Sequence, residues 1–206
     1  MSLRIAGRSS SHFTRVLRMF AHELQLEYAF EPILDLMSLS QEAYAGNPAL
    51  KMPVLVTDEG AWFGALNGCR ELARRARVKR RIVWPEDLTD RIASNAQELV
   101  LQGMATEVGL VMRTVAEPDV SDAYTDKARR SLQQSLRWLE DELPRVLPQL
   151  PERDFSFLEV TSFCFVTHLE FRKVLDTSAY ARLRELSREF EGRPSARATE
   201  YHFDKG

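Results

Sequence analysis

The sequence predicts a chain of class α/β plus all-α, with an α/β domain over residues 1–77, a linker over 78–85 and an all-helical domain over 86–206. Three observations lead there. Strand-like and helix-like apolar patterns alternate as far as Arg77, only helical periods follow Pro85, and a run rich in arginine and lysine separates the two regions. At 206 residues the chain is long enough for two small packed domains.

The elements follow in order. Leu3-Arg4-Ile5-Ala6 alternates as a half-buried strand, and Gly7 opens a polar turn that includes Ser9, Ser10, Ser11 and His12. Phe13, Val16, Leu17, Phe20 and Leu24 then recur at helical spacing, and any of the three serines could cap that helix. Residues 27–33 read as a second strand, with Pro32 tolerated best at a sheet edge. Strand, helix and strand make a βαβ unit with parallel strands. Residues 35–47 read as a short irregular helix ended by Asn47-Pro48. Residues 51–57 form a strand entered through Pro53, and Asp58-Glu59-Gly60 turns it into a partner strand at Ala61-Trp62-Phe63. A helix from about Asn67 to Arg77 closes the domain, with Cys69, Leu72 and Ala76 inward.

In the second region, Pro85 suits the first position of a helix. Ile92, Ala96, Leu99, Gly103 and Leu110 form one stripe ending near Pro118, and Leu132, Leu136, Leu139 and Leu143 form another ending at Pro144. Ser156-Phe157-Leu158-Glu159 is a capping box, with Phe155 and Val160 placed for a hydrophobic staple. The helix it opens is apolar on nearly all sides and belongs at the domain centre. A last helix covers 180–190 and stops at Gly192.

Composition narrows the function. A net charge of −2 argues against a protein that coats nucleic acid or acidic membrane, despite Arg74, Arg75, Arg77, Lys79, Arg80 and Arg81. Part of that cluster answers the dipole of the preceding helix. No uninterrupted apolar run approaches the roughly 20 residues of a membrane span. The start lacks the basic and apolar regions of a secretory signal, so a cytoplasmic location is expected. Cys69 and Cys164 have no partner at metal-ligand spacing and read as core residues, so no metal is expected.

Two segments carry a resemblance. Residues 11–18, Ser-His-Phe-Thr-Arg-Val-Leu-Arg, are similar to the Ser-Pro-Tyr-Ser-Arg-Lys-Val-Arg start of cytosolic glutathione S-transferases. Residues 47–55, Asn-Pro-Ala-Leu-Lys-Met-Pro-Val-Leu, are similar to that family's Asn-Pro-x-x-Lys-Val-Pro-x-Leu. The close, Glu191-Gly192-Arg193-Pro194-Ser195 followed by Thr199, resembles bacterial members. The resemblance implies a thioredoxin-like N-terminal domain followed by a glutathione S-transferase-type helical bundle, a homodimer, and glutathione as co-substrate; Trp62 and Phe63 suit a dimer contact and equally a buried hairpin. It implies a cis Met52-Pro53 bond whose main chain pairs with the cysteinyl backbone of glutathione. It further implies Ser11 as the catalytic hydroxyl, with Ser10 as the alternative in another register. Such a hydroxyl, at a helix N-terminus, lowers the thiol pKa and holds the thiolate. Lys51 is the implied partner of the glycyl carboxylate. A small hydrophobic electrophile is implied near Met104, Val108 and Met112, residues that equally suit a core.

One part of the pattern is missing. The family opens the helix after the hairpin with an acid-hydroxyl pair that holds the γ-glutamyl group. Here Ala65 and Leu66 fall at those positions, or Gly64 and Ala65 in the neighbouring register. Asn67 offers an amide to the γ-glutamyl carboxylate but no counter-charge to its amine. Two readings follow: a glutathione transferase, or a related glutathione-dependent enzyme, and a non-catalytic binding or regulatory protein on the same fold. His12 stands where proline is common and reads as a solvated turn residue. A thioredoxin-type redox protein is excluded for want of a cysteine at the first helix.

Overall fold

The computed structural model describes residues 3–116 and 122–205. They fall into two compact units, Met1–Arg80 with Glu191–Gly206, and Arg81–Phe190. The division expected from sequence gave the last segment to the helical domain. It belongs instead to the first unit, for reasons that lie in its contacts with the first helix.

In the first unit, β1 (Arg4–Gly7), β2 (Ala29–Pro32), β3 (Val54–Thr57) and β4 (Gly60–Phe63) form one sheet in the order β2-β1-β3-β4. β1 and β2 are parallel, and the β1–β3 and β3–β4 pairs are antiparallel. Pro32 lies on the edge strand, where a missing N–H costs the ladder least. Alternation sends Ala6 and Val54 to one face, packed with Ile33 and Tyr44 and flanked by Leu50 and Met52. On the other face lie α1 (His12–Glu23) and α2 (Ala65–Arg75), which meet where Gly68 sits against Leu17 and Leu55. This is a thioredoxin-like arrangement. Residues 35–47 hold only one 3₁₀ turn, Glu42–Tyr44, rather than the expected helix. The Tyr44 hydroxyl donates to the Leu36 carbonyl at 2.8 Å and fixes that irregular path.

Asn47, read from sequence as a helix terminator, has a larger role. It is buried, its Nδ2 donates to the Lys51 carbonyl at 2.6 Å, and its Oδ1 accepts from the Ala49 N–H at 3.0 Å. One amide thus holds the chain leading into Met52-Pro53, whose peptide bond is cis. Three of the six residues of the basic cluster are paired with carboxylates. Arg74 and Arg75 pair with Glu71 and Glu59, Arg75 also with Asp58, and Arg81 pairs with Glu152.

The last segment is tied to α1. The Arg193 guanidinium makes two bonds to Glu23, at 2.8 and 3.1 Å, and the Ser195 hydroxyl donates to Glu23 at 2.5 Å. Buried Arg15 donates to the Ala196 carbonyl of α7 (Pro194–Arg197) at 3.1 Å and lies 4.3 Å over the Tyr201 ring. Asp204 accepts from the Ser9 N–H at 2.9 Å.

The second unit contains α3 (Arg91–Ala116), α4 (Ala123–Val146), α5 (Phe157–Arg172) and α6 (Ala181–Glu191), the last reaching its boundary. The expected end of α3 near Pro118 lies outside the described residues. α4 continues through Pro144 to Val146, because a proline in the last turn removes only one helical bond. The capping box is formed: Ser156 Oγ accepts from the Glu159 N–H at 3.0 Å and donates to its carboxylate at 2.7 Å. α5 is buried along almost its whole length. The apolar stripe of α3 differs from expectation. It keeps Ala96, Gly103 and Leu110 but runs through Ala93, Val100 and Met104 in place of Ile92 and Leu99, and it includes buried Gln97 and Glu107. Each meets α5 through one atom: Gln97 Nε2 donates to Thr161 Oγ1 at 3.1 Å, and Glu107 Oε1 lies 2.7 Å from His168 Nδ1. Sequence periodicity discounts polar positions, so it found one side of this face and missed the other. By length and composition α3 is apolar enough to cross a membrane, but it packs along α4 and α5. Short strands β5 (Ile82–Val83) and β6 (Phe155–Ser156) pair in parallel, which periodicity did not reveal.

Two outcomes follow from these contacts. Burial pushes the Glu23 carboxyl up, but hydrogen bonds from Arg193 and Ser195 and the charges of Arg193 and Arg80 outweigh it and hold it below the usual carboxylate range. The stabilisation is therefore complete above the unfolded-state value and is lost as pH falls through the lower folded value. Urea midpoints between pH 6 and pH 3 should fall less for Glu23→Gln, which starts lower by about 1 kcal/mol, than for the wild type. Asn47→Ala should cost about 1–3 kcal/mol in the same measurement, because the Lys51 carbonyl loses its donor.

Candidate functional site

The register of the sheet decides which loops meet. Val54 pairs with Ala6 on one side and Phe63 on the other. The end of β1, the start of β3 and the end of β4 therefore share one end of the sheet. The turn before α1, the Met52-Pro53 step and the start of α2 all leave from that end. A hydrogen bond from the Gly64 N–H to the Pro53 carbonyl, at 3.0 Å, joins the last two directly. All the glutathione-binding residues expected from sequence lie on these three segments.

Ser11 is the N-cap of α1. Its backbone is extended, and its Oγ accepts from the Thr14 N–H at 3.3 Å. That bond uses an oxygen lone pair and leaves the O–H proton to donate elsewhere. Gly7 makes this placement attainable, since a Cβ there would lie 2.5 Å from Thr14 Oγ1. The absence of a side chain lets the first turn of α1 sit against the end of β1. Ser10 precedes the cap and is half-buried. Ser9 is buried, its N–H on Asp204 and its hydroxyl accepting from Arg18 at 3.3 Å. His12 contradicts its reading as a solvated turn residue: it is the first residue of α1, fully buried, with its ring 4.7 Å from that of Phe13. Helix formation directly after the cap carried it inward.

Met52 is half-buried and Pro53 buried. The Met52 N–H and C=O have no hydrogen-bond partner among the described residues, so a strand-like main-chain pair stands open beside the sheet. Lys51 is exposed. α2 begins two residues earlier than expected, because Gly64 adopts φ 82°, a left-handed value that glycine alone takes cheaply. Gly64 brings no capping side chain, and the first turn of α2 holds no acid. Ala65 is buried, Leu66 half-buried and Asn67 exposed. Their three N–H groups are unpaired among the described residues and point the positive end of the helix toward this edge.

The arrangement therefore offers two helix N-termini, one hydroxyl and one open main-chain pair at a single sheet edge. It favours an anion near Ser11 and an extended backbone beside Met52. It supplies no carboxylate from α2 for an ammonium group. In the second unit, Met104 is buried, Met112 half-buried and Val108 exposed by 39%. Asp204, Arg15 and Tyr201 were not read from sequence as part of this neighbourhood, since nothing local signals that residues near 200 pack against residues near 10.

Residues 10–75 match the family model described as the glutathione S-transferase N-terminal domain. A search of curated proteins found no match. Solved structures match along nearly the whole chain. A glutathione S-transferase from Methylobacillus flagellatus KT, with glutathione bound, is 19% identical, aligns over 97% of this chain and 100% of its own, and has a TM-score of 0.77. One from Methylobacterium radiotolerans JCM 2831, in complex with glutathione sulfonate, is 18% identical over 100% and 98% of the two chains, with a TM-score of 0.76. A glutathione transferase family member from Pseudomonas fluorescens Pf-5, with bound glutathione, is 19% identical over 97% and 99%, with a TM-score of 0.75. Likeness at such identities speaks for the fold, and the domain model is a likeness over residues 10–75. The protein has the fold of the glutathione S-transferases, and its residues 10–75 are similar to the N-terminal domain of that family.

Proposed function

We propose that the protein binds glutathione at the shared sheet end and conjugates it, through its thiolate sulfur, to a small hydrophobic electrophile. The observation that carries this reading is the Ser11 hydroxyl, which caps α1 through a lone pair and keeps its proton for a second acceptor. The cysteinyl backbone of glutathione would pair with the N–H and C=O of Met52. The thiol, brought to the N-terminus of α1, gives its proton to solvent. The resulting thiolate accepts the Ser11 hydrogen bond and is favoured by the helix dipole. It then forms a carbon–sulfur bond to the electrophile, whose leaving group departs with the electron pair.

The γ-glutamyl carboxylate would be received by the unpaired N–H groups of Ala65, Leu66 and Asn67. The γ-glutamyl amine receives no counter-charge from α2. A missing charge-assisted bond of about 1.5–3 kcal/mol corresponds to a loss in affinity of about 10- to 150-fold. Glutathione should therefore bind weakly. The same gap favours the second reading, a non-catalytic binding protein on this fold.

Titration calorimetry with glutathione, paired with a conjugation assay on a chloronitrobenzene, separates the two. The transferase reading expects millimolar or tighter binding, and a fall in kcat/KM of about 100-fold in Ser11→Gly, since a lost hydrogen bond to a reacting anion costs about that much. Glycine keeps the cap to within a few tenths of a kcal/mol, so helix stability is not the cause. Binding without turnover, with Ser11→Gly indistinguishable from wild type, would support the binding protein. No binding at millimolar glutathione would end the transferase reading and favour the non-catalytic one.

A further inference from the structure

We propose that Arg8 is a specificity-determining residue that takes a carboxylate of the molecule bound at this sheet end, an inference that rests on the glutathione reading. In the register that pairs Arg4 with Val56 and Ala6 with Val54, Arg8 comes opposite Met52, just beyond the last ladder pair. It shares the face of Ala6, beside which Met52 packs. Its side chain is half-buried. Its Nη1 donates to the Leu34 carbonyl at 3.3 Å, which turns the guanidinium toward the chain leaving β2. Its Nε is buried with no acceptor among the described residues.

The contrast with neighbouring arginines is chemical. Arg4 pairs with Glu31, Arg15 has the Ala196 carbonyl and the Tyr201 ring, and Arg18 has Tyr28, Ser9 and the face of Phe30. Arg8 has one main-chain carbonyl and, among the described residues, no carboxylate within ion-pair distance. Asp204, one residue away along the turn, is committed to the Ser9 N–H. A guanidinium offers five donors in a planar fork that matches a carboxylate. Three residues before Ser11, its fixed positive charge also adds to the field of the α1 N-terminus. A carboxylate can come from two sources here, the glycyl end of glutathione or an acidic substituent on the transferred group.

Four probes separate these sources: glutathione, its glycyl ethyl ester, S-propylglutathione and S-(2-carboxyethyl)glutathione. Each is titrated by calorimetry into the full chain as wild type, Arg8→Met and Arg8→Lys. The wild type should prefer the charged member of one pair by about tenfold. Arg8→Met should reduce that preference to below twofold while holding the affinity of the uncharged member, and Arg8→Lys should retain part of it. Glutathione over its ester identifies the glycyl end, and the carboxyethyl over the propyl conjugate identifies the transferred group. A preference unchanged in Arg8→Met, no preference in the wild type, or an equal loss for both members would overturn the assignment to Arg8 alone. If none of the four binds the wild type, the glutathione reading fails and this assignment falls with it.

Discussion

The double pairing of Val54, with Ala6 on one side and Phe63 on the other, is the constraint on which the site depends. It makes three segments far apart in sequence leave the sheet at one end: the serine turn, the Met52-Pro53 step and the start of α2. Each is then held by a separate local device. Gly7 admits Thr14 and so draws α1 against β1, Asn47 fixes the approach to Met52, and Gly64 bonds to Pro53 and opens α2 without a side chain. None of these devices is costly to form, because each satisfies polar groups or relieves a clash that the sheet register itself creates.

The electrostatics of that end follow from the same geometry. Two helices present their N-termini there, and neither has an acid in its first turn. A thiolate or a carboxylate is welcome, whereas an ammonium group finds nothing on α2 to receive it. Unpaired N–H groups on α2 and the Ser11 hydroxyl give the anion specific donors rather than a diffuse field. The last segment adds rigidity from behind, since Glu23, Arg15 and Ser9 each bond to a residue beyond position 192.

Features signalled by neighbouring residues were legible in the sequence. Ser156 and Glu159 announce their capping box three residues apart, the apolar spacing from Val16 to Leu24 gives α1, and the Asn-Pro-x-x-Lys-Met-Pro run marks the entry to β3. Features that depend on distant partners were not. The Gln97 and Glu107 positions look solvent-facing until Thr161 and His168 meet them. The two-residue strands at Ile82 and Phe155 are too short to show a period. Residues 35–47 carry helix-compatible apolar positions, but Tyr44 anchors to Leu36 and leaves only a single turn. At the site, Ser11 and Met52 were readable because their motifs are local. The bond from Ser9 to Asp204 spans nearly the whole chain and has no local trace.

The central claim is that the Ser11 end of the sheet stabilises a bound thiolate. The most direct test is a pH titration of the thiolate ultraviolet absorbance of glutathione held at saturating protein. The account predicts a midpoint at least one unit below the value of about 8.5 for a free cysteine thiol, returning toward it in Ser11→Gly. A midpoint unchanged from free glutathione in the wild type, with the tripeptide demonstrably bound, would contradict it.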